Sequence, residues 1–572
     1  MKYLIPIFFL FTIACAGDYP RYPSSALAVT LLDTSNSTDG SSSSSSALTM
    51  LSSIPGSTSV LMQDQNIQVI FNQSLETGSC TTSPGTPSLD TVGTLSYTTT
   101  YKTNDTLVIT PNAGSWTTGS NKNLIVSGCR ASGLTAQSVS LNYFVANPSR
   151  SFYVNATTGS DLYAGTSASP FQTLGQANTV LAALGTSCSI QPDCSVQVTA
   201  GTYTMTAGPF MPLNGVGYFG SYDSSFSSRY PLNSSYYSTI VDNHATGGGT
   251  QASPSRAVEF TASVTSATTF SGFYVLGRSG VSYSAGMLIT NGSPIILQNL
   301  IEGGQGTNSS GMHILAGNAM IVFNIITPYR SAALNLAYGL TNNSTGTPTI
   351  QSNYIYSGNA TNVNYGIIHM NGTGKYLNNI IYSGSSLNSY GFYIQFNGGK
   401  FFHNSLLLGT YTTNNVTAIA FGVNANSMNI DNNIIYVAGS ATTRTCFSET
   451  VVGGPATFRN NVLYGCPNLY YDFDLAMNLT AICTGGTLGD VTCTTLLATP
   501  ATTFADNNLN INPQYTSTVL SSINLKLQST TPCSISRGAY NNGITEDFEF
   551  KPRPGTDSYY SIGAYEYDGT CQ

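Results

Sequence analysis

Charge is what this chain lacks most. Of 572 residues only 18 are Lys or Arg and 25 are Asp or Glu, 8% in all, where soluble domains carry ~25%. A nucleic-acid partner is excluded on that ground, since it requires clustered cations to neutralise phosphates. Coiled coils and helical bundles, built from Ala, Glu, Lys, Leu and Arg, go with it. Trp occurs once, His four times and the CxxC spacing nowhere, which leaves a zinc site without a ligand set.

What is present points to β-structure. The chain is 41% hydrophobic with 56 Gly and 36 Tyr, enough apolar material to exclude disorder throughout. The net charge of -7 is too small to imply a cationic partner. The expectation is a large, neutral-surfaced, all-β protein.

The start of the chain sets the compartment. Leu4 to Ala14 is an apolar run broken only by Pro6 and Thr12. It is far short of the ~20 residues that span a bilayer, so residues 1–15 read as an export signal. The ending Thr12-Ile13-Ala14-Cys15 resembles the lipobox of bacterial lipoproteins, with Thr where that motif usually has Leu. The resemblance implies a lipid anchor on Cys15, attachment to a membrane and a bacterial outer-membrane or cell-surface location. Removing Cys15 leaves ten Cys, an even number for an exported chain. They fall in neighbouring couples, Cys80/Cys129, Cys188/Cys194, Cys446/Cys466, Cys483/Cys493 and Cys533/Cys571, and disulfides are expected.

Residues 16–52 include an unbroken row from Ser41 to Ser46. Such a segment reads as a flexible tether with a reach on the order of 35 Å. From Ser53 short alternating segments such as Ile67-Gln68-Val69-Ile70-Phe71 and Leu124-Ile125-Val126 sit between turn residues, a sandwich pattern. Residues 53–148 resemble a bacterial Ig-like domain of the kind that spaces surface proteins.

The remainder, 149–572, contains a repeat. An Asn before a hydrophobic pair recurs at Asn299, Asn324, Asn353, Asn379, Asn404, Asn433 and Asn461, in steps of 25, 29, 26, 25, 29 and 28 residues. Two places later stands an aliphatic residue every time, and Tyr356, Tyr382, Tyr436 and Tyr464 recur one place further on. A second strand recurs at Gly286, Gly311, Gly366 and Gly391. A parallel β-helix of about a dozen coils accounts for this, with like residues stacked at ~4.8 Å. The Asn row reads as structural. The Tyr row either packs internally or presents an aromatic strip to sugar rings.

Residues 153–183 resemble the entry segment of right-handed parallel β-helix proteins in the pectin-lyase-like superfamily, with a capping helix expected within Phe171 to Leu184. The far end, closing on Gly563 to Glu566, resembles that superfamily's final segment and its terminal strand. The resemblance covers about residues 150–568 and implies a fold that hosts lyases, hydrolases, adhesins and inert spikes alike.

Catalytic signals are sparse. Between Gly272 and Gly465 the only carboxylates are Glu302, Asp431 and Glu449. The first two lie five coils apart, roughly 24 Å at ~4.8 Å per coil, too far to cooperate. Asp431 and Arg459 occupy equivalent places on adjacent coils, as do Lys375 and Lys400. No carboxylate stands near His369 or His403 in the ladder register. The one acidic concentration is Asp223, Asp242 and Glu259, with His244 and Arg256 nearby in sequence. If the coils gather these on one side, calcium binding or acid–base work follows; otherwise they are framework. N-x-S/T triplets such as those at Asn104, Asn155, Asn371 and Asn415 are a by-product of an Asn/Ser/Thr-rich surface. The expectation is a surface lipoprotein that binds polysaccharide or host matrix without a cofactor. A polysaccharide lyase or glycoside hydrolase, with calcium only in the lyase case, and a ligand-free structural spike are the alternatives.

Overall fold

The structure, a computed structural model, describes residues 48–571 with gaps, the longest at 480–503. Cys15, the expected signal segment and nearly all of the tether lie outside the described residues, as do Cys188, Cys483 and Cys493.

The first unit is a β-sandwich. One four-stranded sheet runs Met50–Ile54, Ile67–Phe71, Thr106–Pro111, Val92–Thr98; the other runs Val60–Met62, Val139–Ala146, Gly119–Ser127, Thr81–Pro84. Alternation places Ile67, Val69 and Phe71 in a core shared with Leu107, Ile109, Leu124, Val126 and Leu141. The single Trp, Trp116, is buried there and donates its indole N–H to the Gln65 carbonyl at 2.6 Å. The first strand begins at Met50, three residues ahead of the expected boundary. Leu48 and Met50 are apolar and pack on this core, so the Ser-rich segment ends where they begin.

From Arg150 the chain winds into a parallel β-helix. Among the described residues its first sheet has twelve strands and its second and third have ten each. A typical coil runs Ile295–Leu297, Leu300–Glu302, Gly306–Ile314; the next repeats it as Met320–Val322, Ile325–Thr327, Leu334–Asn342. Strict register stacks Ile296 on Ile321, Ile350, Tyr376 and Phe401, and Ile301 on Ile326, Ile355, Ile381 and Leu406. All are buried in one continuous core.

The Asn row turns the first sheet into the second. Each Asn accepts from the backbone N–H of the Asn one coil earlier at 2.8–3.0 Å, from Asn299 through Asn461 to Asn508. Each is fully buried, where an amide makes its bonds in a low dielectric and gains cooperative strength. The residue before each Asn is left-handed, φ 53–61° at Gln298, Phe323, Ser352, Asn378, His403, Asn432 and Asn460. No Gly holds that place, and the Asn side chains there form compensating bonds described below. The recurring Gly of the third sheet has a different cause. A Cβ at Gly366 would lie 2.5 Å from the Gly391 carbonyl oxygen, and one at Gly339 the same distance from that of Gly366.

Helix Leu174–Ala183 seals the entry end, burying Leu174, Ala177 and Leu181. Thr173 caps it, and Asp161 holds Thr173 with three hydrogen bonds counting that to Gln172. Disulfides join Cys80 to Cys129, Cys446 to Cys466 and Cys533 to Cys571; Cys194 is disulfide-bonded as well.

The C-terminal segment does not continue the coils. It returns along the outside of the second sheet, where Tyr515, Ile523, Leu525, Ile535, Phe548, Ile562 and Tyr565 cover Leu300, Ile325, Ile380, Leu407, Ile434 and Val462. The left-handed corner anchors it. Asn378 donates to the Glu546 carbonyl, Asn432 to that of Tyr540 and Asn460 to that of Gly538, at 2.6–2.7 Å. Gly563 to Glu566, expected as a terminal strand, is a series of bends. Its partners are the side chains of Ser405 and Asp547 and the Asn432 carbonyl, which replace a strand's ladder.

Candidate functional site

The acidic candidates do not meet. Asp223 follows the first-sheet strand Val216–Tyr222, Asp242 ends the second-sheet strand Ser238–Asp242, and Glu259 lies on the third-sheet strand Ser255–Phe260. Asp223 ties its own loop, accepting from Ser225 and Ser227 at 2.8–3.1 Å. Glu259 forms a two-pronged pair with Arg256 at 2.7 and 3.0 Å. No group of three His, Cys, Asp or Glu able to hold a metal occurs among the described residues.

Asp242 is the most enclosed. Ser255 donates to it at 2.6 Å and the His244 backbone N–H at 3.1 Å. The His244 Nδ1 lies 3.0 Å from the same carboxylate, off the hydrogen-bond line. Burial raises the Asp242 pKa, and Ser255 and His244 oppose that shift. This is an Asp–His neighbourhood that the ladder register did not reveal. Its order is Ser to Asp, however, so the imidazole does not bridge hydroxyl and carboxylate as a nucleophile relay demands. The later carboxylates are also engaged: Glu302 by Arg330 and Tyr274, Asp431 by Arg459 and Thr457, and Glu449 by Tyr470.

The Tyr row expected as a sugar strip is under the returning C-terminal segment. Tyr356 and Tyr382 are buried and stack at 4.9 Å; Tyr436 and Tyr464 are half-buried and stack at 5.3 Å, with Tyr515 edge-on to Tyr436. The row packs internally because residues some 50–200 positions later in the chain close over it. Lys375 and Lys400 are register neighbours on the first sheet, and the Lys400 ammonium sits 5.6 Å from the Phe402 ring centroid. His369 is in the core, bonded to the Tyr376 hydroxyl at 2.8 Å, and burial lowers its pKa to about 4. His403 lies at the left-handed corner between Asn432 and Asn542.

A second aromatic row remains in view. Tyr338, Tyr365 and Tyr390 occupy one register column on the outer side of the third sheet. Successive rings stack at 5.2 Å with interplanar angles of 6° and 11°. Tyr393 stands edge-on to Tyr365 and Tyr390 at 5.7 and 5.5 Å. Tyr338 is buried, with Tyr283 stacked on it at 6.0 Å, while Tyr365, Tyr390 and Tyr393 are half-buried. Burial pushes the Tyr338 phenol up to about 12 and raises Tyr365 and Tyr390, with the neighbouring phenols acting in the same direction. All therefore stay protonated donors at neutral pH. Around the row lie Thr417, Asn388 and Asn415, the last two bonded to each other at 2.8 Å, and the exposed Leu387. The sequence carried a signal for this row: each Tyr immediately precedes the recurring Gly, at Tyr338-Gly339, Tyr365-Gly366 and Tyr390-Gly391.

No family model matches the chain, and no curated protein matches it. Among solved structures it is similar to a crystal structure of the pectate lyase Pel9A, at 12% identity over 74% of this chain and 97% of that one, with a TM-score of 0.34. A likeness this distant speaks to no residue's role.

Proposed function

We propose that this protein binds polysaccharide on the outer face of its third sheet and does not cleave it. One observation carries this: the third sheet presents a partly open row of protonated phenols, while the carboxylates that sequence offered for catalysis are each held by a structural partner. Catalysis by a pair of carboxyl groups requires them to face one another across a bond, and a lyase requires acids gathered for calcium. Among the described residues the coils supply neither. An elongated scaffold, on the order of 50 Å at ~4.8 Å per coil, offers instead a repeated contact surface. Export, lipid attachment at Cys15 and an Ig-like spacer role for the sandwich complete the reading as an adhesin-like surface lipoprotein, supported by the lipobox resemblance and the Ser-rich tether.

The test is an array of neutral and acidic polysaccharides probed with the purified protein lacking residues 1–15. Binding is recorded beside release of reducing or unsaturated ends, with and without calcium. Saturable binding without products is expected. Product release abolished by Asp242→Ala would overturn the binding reading in favour of a lyase or hydrolase.

A further inference from the structure

The third-sheet face also specifies what kind of chain it takes. Six successive strands, Val281–Ile289, Gly306–Ile314, Leu334–Asn342, Ala360–His369, Ser386–Ile394 and Thr412–Phe421, contain no Asp, Glu, Lys or Arg. Their two His are withdrawn: His369 is in the core, and His313 is buried with its pKa lowered to about 4. The Arg256–Glu259 pair borders the face at its first coil and is neutral as a unit, and Arg444, on the strand Thr443–Glu449 at the far edge, donates to the Gly439 carbonyl. An acidic chain laid over the six strands between would give up hydration of its carboxylates with no cation from those strands in return. An uncharged chain suffers no such loss.

The row's geometry fixes how contact is made. Sugars that dock by stacking use the flat face of an aromatic ring. Here the rings lie face to face within 11° of parallel, so Tyr365 spends both faces on its neighbours and leaves its edge and hydroxyl for a ligand. Tyr338 is buried behind the row, while the phenols of half-buried Tyr365 and Tyr390 make no hydrogen bond among the described residues. They form a pair of donor–acceptors at the 5.2 Å ring spacing. An extended pyranose chain also presents its hydroxyls at a repeat comparable to the ~4.8 Å rise of a coil. One sugar therefore meets one phenol along the solenoid axis.

We infer that the third-sheet face binds a neutral, extended glycan running parallel to the axis, through phenol hydroxyls and not ring faces. This rests on the polysaccharide-binding reading and narrows it. The experiment compares Tyr365→Phe, Tyr390→Phe and Tyr365→Ala with the parent for affinity to neutral and uronate-containing glycans, with thermal unfolding as the control for fold. Each Phe variant is expected to unfold as the parent does and to bind the neutral glycan about 3- to 10-fold more weakly, the effect of one hydrogen bond. Parent-like binding by both Phe variants, with loss in Tyr365→Ala alone, would overturn the hydroxyl assignment. Tighter binding of uronate chains than neutral ones would overturn the neutral class. Glycan binding that none of the variants alters would refute this face as the site while sparing the broader reading. No binding to any glycan would overturn both.

Discussion

Replacing Asn379 by Ala tests the internal ladder at its centre. The Asn379 carbonyl oxygen accepts from the Asn353 backbone N–H at 3.0 Å and from the Asn353 amide at 3.1 Å; its own amide donates to the Ile350 carbonyl at 2.8 Å and to Asn404 at 3.0 Å. Ala removes all four bonds and leaves the Asn353 N–H buried without an acceptor, a loss of about 1–3 kcal/mol. The other three contribute about 0.5–1.5 kcal/mol each, so the total is about 2.5–7.5 kcal/mol. Guanidinium unfolding reads the global effect as a shift in midpoint at constant slope. Solenoids lose stability coil by coil, so hydrogen exchange at the Asn353 amide reads the local effect and should quicken the most. A loss below about 1 kcal/mol with unchanged exchange would show the ladder to be a passive consequence of register. Asn379→Asp sharpens the test. Its carboxylate would face two acceptor oxygens without a cation, so its folded pKa rises above the unfolded value. The penalty is then present at neutral pH and disappears as pH falls below the unfolded pKa.

Three further outcomes follow from the same structure. His313 and His369 are each held near a pKa of about 4 by burial, below the unfolded value of ~6.5. Their contribution is therefore complete above pH ~6.5 and is lost as pH falls towards 4, up to about 3 kcal/mol each; denaturant midpoints that do not move between pH 7 and 5 would contradict it. Cys533→Ser opens the bond to Cys571, 38 residues away, worth up to about 4 kcal/mol by loop entropy, and limited proteolysis should then cut within 513–567 before the coils; cleavage at the parent rate would refute this tie. Asp223→Ala, which loosens only an exposed loop, should leave glycan binding at the parent level, and a loss of binding would return that loop to the site.

Much of the fold was legible because a β-helix writes its geometry into the spacing of identical residues. Asn299 to Asn461 could be aligned by eye, since each must bond the one before it, and the aliphatic row two places later follows from the same register. The site was less legible, for two physical reasons. Tyr382 and Tyr365 look alike in sequence, each an aromatic on a coil, and what separates them is whether the returning C-terminal segment lies above. That contact joins Tyr354 to Tyr565 across 211 residues and leaves no periodic trace. The third-sheet row was hidden by its neighbour: the recurring Gly drew the register, while the Tyr immediately before it varies to Ala285 and Ser310 in earlier coils. Acidic residues close in sequence were likewise dispersed, because consecutive strands of one coil belong to three different sheets.

The path of the C-terminal segment sets an order on the birth of the molecule. The coils can stack as they emerge, each templating the next, but the strip from Leu300 to Val462 stays naked until the segment from Tyr515 to Tyr567 arrives to cover it. A chain stopped short of Tyr515 would complete its solenoid and still carry a greasy flank along its length, with the stickiness that large exposed apolar patches confer. Docking of the segment is thus signalled in the fold itself, by the disappearance of that flank.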